Sequence, residues 1–211
     1  MDWIVDPKLL PAFVLAMALV ELTPGPNLAY LALLSASRGR GAGLQAVAGI
    51  TLGLSAYLGL ALFGLNQVPL HAAVWLEILR WAGAAYLLWL AGEAVWSPPK
   101  PSAPPDLVHS PFLRGMVSNL LNPKAAIFYL ALLPTFIRPG FAPVMVQGLV
   151  LGGIHIAISV AIHSAAVFGA AGLASRMSRR GALWFRIVLA GGLVAAVLWL
   201  LSIPLSLGPA T

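Results

Sequence analysis

Apolar residues in this chain run in blocks longer than a soluble helix or strand needs. Six blocks stand at about 9–36, 43–65, 72–96, 113–136, 143–172 and 183–207, separated by short polar or turn-rich pieces. A helix needs about 20 apolar residues to cross a hydrocarbon core ~30 Å thick, so each block predicts one membrane span. The separators read SRGRGAG, NQVPLH, SPPKPSAPPD, IRPGFAP and SRMSRRG. The third, running from Ser97 to Asp106, is Pro-rich and reads as an extended linker between two halves. The expected organisation is therefore a three-helix unit over 1–96, a linker over 97–112 and a second three-helix unit over 113–211.

Composition supports this class. Hydrophobic residues are 60% of the 211 and charged residues 9%, where a soluble domain carries about a quarter charged. No Cys is present, which removes disulfides, thiolate metal sites and Cys nucleophiles. The first eight residues lack a basic n-region, so a cleavable signal is not expected. The net charge of +6 has a topological reading. Arg38, Arg40, Lys100, Arg114, Arg176, Arg179, Arg180 and Arg186 flank loops one, three and five. Only Lys8 and Arg138 fall on the other side, while Arg80 and Lys124 sit within spans. Basic residues gather on the cytoplasmic side, so those three loops are expected in the cytoplasm of a bacterial-type plasma (inner) membrane and both termini outside it. Nucleic acid is not an expected partner; the lipid bilayer is.

The chain also resembles itself at an offset of 99. Pro24 matches Pro123, residues 30–34 and 129–133 both read YLALL, and Gly49 and Gly53 match Gly148 and Gly152. Over 23–53 eleven positions are identical, well above the roughly three that this composition gives at random. An odd number of spans per half puts the second half in the membrane upside down. The expected fold is an all-α integral membrane protein of six transmembrane helices, built as two inverted three-helix repeats with the first and fourth helices broken at proline. Secondary transporters recur to this plan and bind substrate at the midplane on discontinuous helices.

The breaks read Glu21-Leu22-Thr23-Pro24-Gly25-Pro26-Asn27 and Asn119-Leu120-Leu121-Asn122-Pro123-Lys124. Proline lacks an N–H and clashes with the preceding turn, so it stops or kinks a helix. Thr23 and Asn122 are suited to N-caps, with proline at the first helical position. Each motif would start a half-helix within the membrane with free N–H groups aimed into the bundle, a setting that favours an anion. Lys124 adds a cation and Glu21 an anion, so the pair suits a zwitterion such as an amino acid.

The TPGPN core with Glu21, the GxxxG of span two and the NPK of span four resemble the LysE/RhtB family of amino-acid exporters, over nearly the whole chain. The resemblance implies efflux of amino acids or close derivatives from the cytoplasm, coupled to protons, with Thr23 to Asn27 and Asn122 to Lys124 lining the path. A divalent cation is the alternative cargo and an intramembrane enzyme the alternative class. The latter lacks support, since the spans hold no HExxH, no Cys and no paired aspartates. No cofactor and no resident metal are expected.

Gly49, Gly53, Gly148 and Gly152 are spaced to let helices approach closely, within the bundle or at a homodimer contact. His155, Ser159 and His163 recur every four residues along span five. His155, near mid-span, is a candidate proton relay; for His163 a hydrogen bond within the bundle is the favoured reading. Glu77 and Arg80 form a local i,i+3 pair, and Glu93 and Trp96 mark an interface.

Overall fold

The computed structural model describes residues 3–23, 25–64, 78, 81–89, 91–92 and 110–202. Among these no strand occurs. Pro24, most of the third span with Glu77, Arg80 and Glu93, and the linker up to residue 109 lie outside the described residues.

Helix α1, Leu10–Leu22, starts on Pro11 and stops at Thr23. Helix α2, Pro26–Gly64, contains one non-helical residue, Gly39, at φ 82° and ψ 178°. A left-handed φ of this kind is open to glycine and strained for any residue with a Cβ. The chain folds back there, which brings the Ser35 hydroxyl against Gly43. Loop one, expected over 37–43, is thus reduced to one residue between two helical arms. Gly140, in the separator between spans four and five, adopts the same sign of φ at 86°.

Residues 81–89 form α3. Helix α4 runs Pro111–Leu120 and α5 runs Pro123–Ile127, continuing as a π turn over Phe128–Leu132 and a 3-10 turn over Leu133–Phe136. The two pieces meet at 54°. The π turn precedes Pro134, whose missing N–H and ring disturb the i→i−4 ladder. Helix α6, Val144–Ser175, is apolar and long enough to cross a bilayer, and α7 spans Arg179–Ser202.

Two packing relations position the centre of the molecule. The second arm of α2 runs antiparallel to α6, with Leu62 at Gly148, Leu58 at Gly152 and Val167 at Gly43. The same arm runs parallel to α4, with Ala46 at Gly115, Asn119 at Gly53 and Tyr57 at Leu120. A Cβ on Gly49 would collide with the Phe112 carbonyl, and one on Gly115 with the Ala46 carbonyl, so backbones touch there directly. All four glycines of the two GxxxG motifs therefore sit at contacts within the chain.

The second relation is between the two broken helices. Phe13 packs on Phe128 and Phe136, with ring centroids 6.4 and 4.9 Å apart. Further along, Lys124 reaches Val20, and Asn27 meets Ser118 and Asn119. α1 with the first arm of α2 is therefore antiparallel to α4 with α5, and the breaks lie side by side. Arg114 is buried rather than in a loop, its guanidinium 5.2 Å over Trp89. Outward, Leu15, Leu60, Phe63, Trp184, Val188 and Leu198 are more than half exposed. An apolar surface of that extent suits hydrocarbon and not water.

Candidate functional site

The breaks can be read by asking which backbone groups the prolines orphan. In a helix the N–H of residue 24 would bond the carbonyl of Val20, but proline has none. The Lys124 ammonium donates to the Val20 carbonyl instead. Pro123 likewise cannot serve the Asn119 carbonyl, which accepts from the Asn122 N–H at 2.9 Å. The Lys124 N–H, the usual donor to Leu120, goes to the Asn122 side chain at 3.0 Å. The Tyr57 hydroxyl then donates to the Leu120 carbonyl at 2.6 Å. Each unmet carbonyl in a lipid setting costs several kcal/mol, so these substitutions are what make the breaks tolerable.

A buried amide network ties the breaks together. The Asn27 side-chain N–H donates to Asn119 Oδ1 at 2.9 Å, and the Ser118 hydroxyl donates to Asn27 Oδ1 at 3.1 Å. Asn27 belongs to the first break and Asn119 to the second. With Lys124 on Val20, two polar cross-links join segments about 100 residues apart in sequence.

Glu21, on the last turn of α1, faces the middle of α6. His155 Nε2 lies 3.0 Å from Glu21 Oε1, and His163 Nε2 lies 3.3 Å from Oε2. The Ser159 hydroxyl lies 3.3 Å from the same Oε2 and 3.1 Å from His163 Nδ1. On its other face His155 Nδ1 is 3.0 Å from the Tyr129 hydroxyl. A carboxylate only accepts, so His155 presents Nε2–H to Glu21 Oε1 and its Nδ1 accepts from the Tyr129 hydroxyl. The Ser159 hydroxyl donates to Oε2 and turns its oxygen towards His163 Nδ1, while His163 Nε2 stands at ion-pair distance from the same Oε2. His155, Ser159 and His163 are all buried.

These groups enclose one cavity of about 30 Å³, room for about two water molecules. Glu21, Thr23, Gly25, Pro26, Asn27, Asn122, Lys124 and His155 all line it, together with Asn119, Ser159, His163 and Phe128. Pro123 is buried beside them. One wall carries the anion with its two imidazoles, another the ammonium at a helix end. Among the described residues no three or more His, Cys, Asp or Glu are grouped to hold a metal ion; Glu21 and its histidines bond to one another.

Two expectations about the caps change. Thr23 does not start α2. Its hydroxyl and N–H both return to the Leu19 carbonyl, at 2.7 and 2.9 Å, and close the end of α1. α2 begins on Pro26, and the Gly25 carbonyl accepts its first bond, from Ala29. Asn122 does cap α5, but it uses up the N–H groups that were to face the cavity. Its side chain takes Lys124, and its carbonyl takes Ala125 and Ala126 at 3.1 and 3.2 Å. The positive feature at the second break is the Lys124 side chain, not a set of open amides.

Sequence reasoning also passed over Asn119, Tyr57 and Tyr129. Asn119 was visible as a second polar residue within the NLLNPK string. Nothing local pointed to either tyrosine, though Tyr129 opens the repeated YLALL.

The family model described as LysE type translocator matches residues 18–207. A homoserine/homoserine lactone efflux protein of Salmonella typhimurium is 32% identical over 172 residues, 79% of this chain and 81% of the relative. A threonine efflux protein of Escherichia coli is 33% identical over 126 residues, 55% of this chain and 60% of the relative. A leucine efflux protein of an Enterobacter species is 32% identical over 133 residues, 59% and 62% of the two chains. No solved structure matches the chain. With the match running from the last turn of α1 to beyond α7, the chain belongs to the LysE type translocator family.

Proposed function

We propose that this protein exports amino acids or close derivatives from the cytoplasm by alternating access, coupled to protons. The observation that carries the reading is a buried anion and a buried cation, Glu21 and Lys124, lining one cavity where two antiparallel broken helices meet. A zwitterion matches that pair. Its carboxylate would take Lys124 from the Val20 carbonyl, and its ammonium would take Glu21. The relatives named for efflux of homoserine, threonine and leucine agree with an amino-acid cargo. Homoserine lactone, in the same name, keeps the amine without a free carboxylate, which marks the amine as the shared handle.

The cavity at about 30 Å³ is too small for any amino acid. The cycle therefore needs a rearrangement that opens the site to one side at a time. The six-span inverted repeat supplies an element for it: one half rocks against the other around the breaks. The antiparallel crossing of the broken helices and the offset of 99 support that plan. The bias of Lys and Arg supports a plasma-membrane orientation with loops one, three and five inside.

The test is release of amino acids from cells loaded with dipeptides, profiled across all twenty. Expression should raise the release of at least one, and Lys124→Ala should remove the rise. If every amino acid is released at the control rate by protein shown to be inserted in the membrane, the reading is wrong.

A further inference from the structure

Both carboxylate oxygens of Glu21 are engaged: His155 Nε2 hydrogen-bonds Oε1 at 3.0 Å, the Ser159 hydroxyl donates to Oε2 at 3.3 Å, and His163 Nε2 stands 3.3 Å from the same Oε2. An incoming ammonium, with three N–H groups to place, meets both oxygens already engaged in a cavity of only about 30 Å³, so it closes on Glu21 by displacing an imidazole. We infer that His155 and His163 are built-in competitors for the site that holds the substrate's amine, and that His163 is the group whose protonation expels it. This rests on the proposed transport reading and deepens it.

The asymmetry between the histidines singles out His163. A neutral imidazole bonded through Nε2–H can gain a proton only at Nδ1, and the partner there must then become an acceptor. At His155 that partner is Tyr129, whose hydroxyl proton would have to turn away from the imidazole. At His163, whose Nε2 faces the carboxylate, the partner is Ser159, whose hydroxyl donates to Glu21 Oε2 at 3.3 Å and so presents its oxygen to His163 Nδ1 at 3.1 Å. The serine oxygen is therefore already placed as an acceptor. A proton on Nδ1 needs no rearrangement, and the resulting imidazolium donates to Ser159 while its Nε2 stands 3.3 Å from the carboxylate.

The charge count gives the exclusion. Among the described residues the charged and titratable groups facing Glu21 are His155 and His163 from α6, Lys124 from α5 and, through His155, Tyr129 from the π turn; α2 contributes the neutral Asn27 and apolar side chains to the cavity. A neutral His163 brings no charge to the carboxylate, and an ammonium outcompetes it because a charged donor bonds a carboxylate strongly. An imidazolium offers a charge as well. With it in place a substrate ammonium would be the third cation, after Lys124 and His163, around one carboxylate. Proton and amine thus occupy the site in turn. Protonation of His163 is favoured from the more acidic side, so an acidic exterior favours release and a neutral interior favours loading.

The direct experiment uses the purified full chain in weakly buffered detergent. Binding of labelled homoserine, threonine and leucine is measured in turn, together with protons released on binding, from pH 5 to 8. About one proton should leave per amino acid bound at the pH of maximal release, as linkage requires. The half-saturating concentration should rise about tenfold or more from pH 8 to pH 5. His163→Gln should lose most of the release. If that variant does not fold, Ser159→Ala serves, and should shift the pH of maximal release. A primary amine lacking the carboxylate should compete for the site, and an N-acetylated amino acid should not. Binding without proton release at any pH overturns the inference and leaves the transport reading standing. Full release in a folded His163→Gln, or an unmoved maximum in Ser159→Ala, removes His163 from the role and also overturns it. No binding of any amino acid sinks the transport reading and takes this inference with it.

Discussion

The bond between Asn27 and Asn119 joins the two breaks, and its worth can be worked out before it is measured. Asn27→Ala deletes two buried hydrogen bonds, to Asn119 and from Ser118. Each is worth about 1 kcal/mol net. The two losses differ in kind. Ser118 sits in the last turn of α4, and a helical serine can turn its hydroxyl to the carbonyl four residues back, so its share is largely recovered. Asn119 is fully buried, and its Oδ1 loses its donor with no rotation to restore it. In membrane proteins such pairs couple by about 0.6 kcal/mol on average, with a maximum near 1.7. We expect Asn27→Ala to cost about 1–2 kcal/mol and to lower the melting temperature in detergent by about 3–6 °C. The cycle with Asn119→Ala and the double variant should give a coupling of about 0.5–1.5 kcal/mol. Fluorescence-detected thermal unfolding of the four proteins supplies the numbers. A coupling below about 0.3 kcal/mol, within the scatter of additive sites, would show that the breaks are not joined through this pair.

Four further outcomes follow from the geometry. Gly49→Ala drives a Cβ into the Phe112 carbonyl and should cost about 1–3 kcal/mol of stability, whereas Gly59→Ala, with nothing near its Cβ, should be neutral or slightly stabilising by the same thermal assay. Gly39→Ala places a side chain at φ 82° and should lose about 1–3 kcal/mol, read as a lower yield of monodisperse protein and a lower melting temperature. Tyr57→Phe strips the donor from the Leu120 carbonyl and should cost about 1–3 kcal/mol, more than a surface Tyr→Phe change. Lys124→Met keeps the side chain's bulk but removes both the donor to Val20 and the cavity's cation; export from dipeptide-loaded cells should fall to the background rate, and a retained rate would take Lys124 out of the site.

What the sequence disclosed, and what it hid, divides by range. Proline acts on its own turn, so both breaks were legible at Pro24 and Pro123 with no knowledge of the fold. The repeat was legible because it compares the chain only with itself. The cap at Thr23 was misread because a threonine between two helical stretches can serve either. Its hydroxyl bonded back to Leu19, closing the helix behind it instead of opening the one ahead. The facing of α6 onto Glu21 was not legible at all. The spacing of His155, Ser159 and His163 places them on one stripe, but which neighbour that stripe meets depends on how α6 packs against α1 and α2.

The repeat sharpens the point about chemistry. At the offset of 99, Glu21 corresponds to Leu120, Lys124 to Gly25, His155 to Ala56, Ser159 to Leu60 and His163 to Gly64. Tyr129 answers Tyr30 and Pro123 answers Pro24; none of the ionisable cavity residues is shared. If the halves carried equivalent sites, the charges would come in pairs and the cavity would suit two copies of one group. Instead the carboxylate comes from one half and the ammonium and both imidazoles from the other. A repeated sequence thus ends in a single polar axis across the break, with its anion on α1 and its cation on α5. An axis of that kind fits a ligand with two unlike ends held in one direction. It also fixes which end the proton contests, because both imidazoles stand on the anionic side.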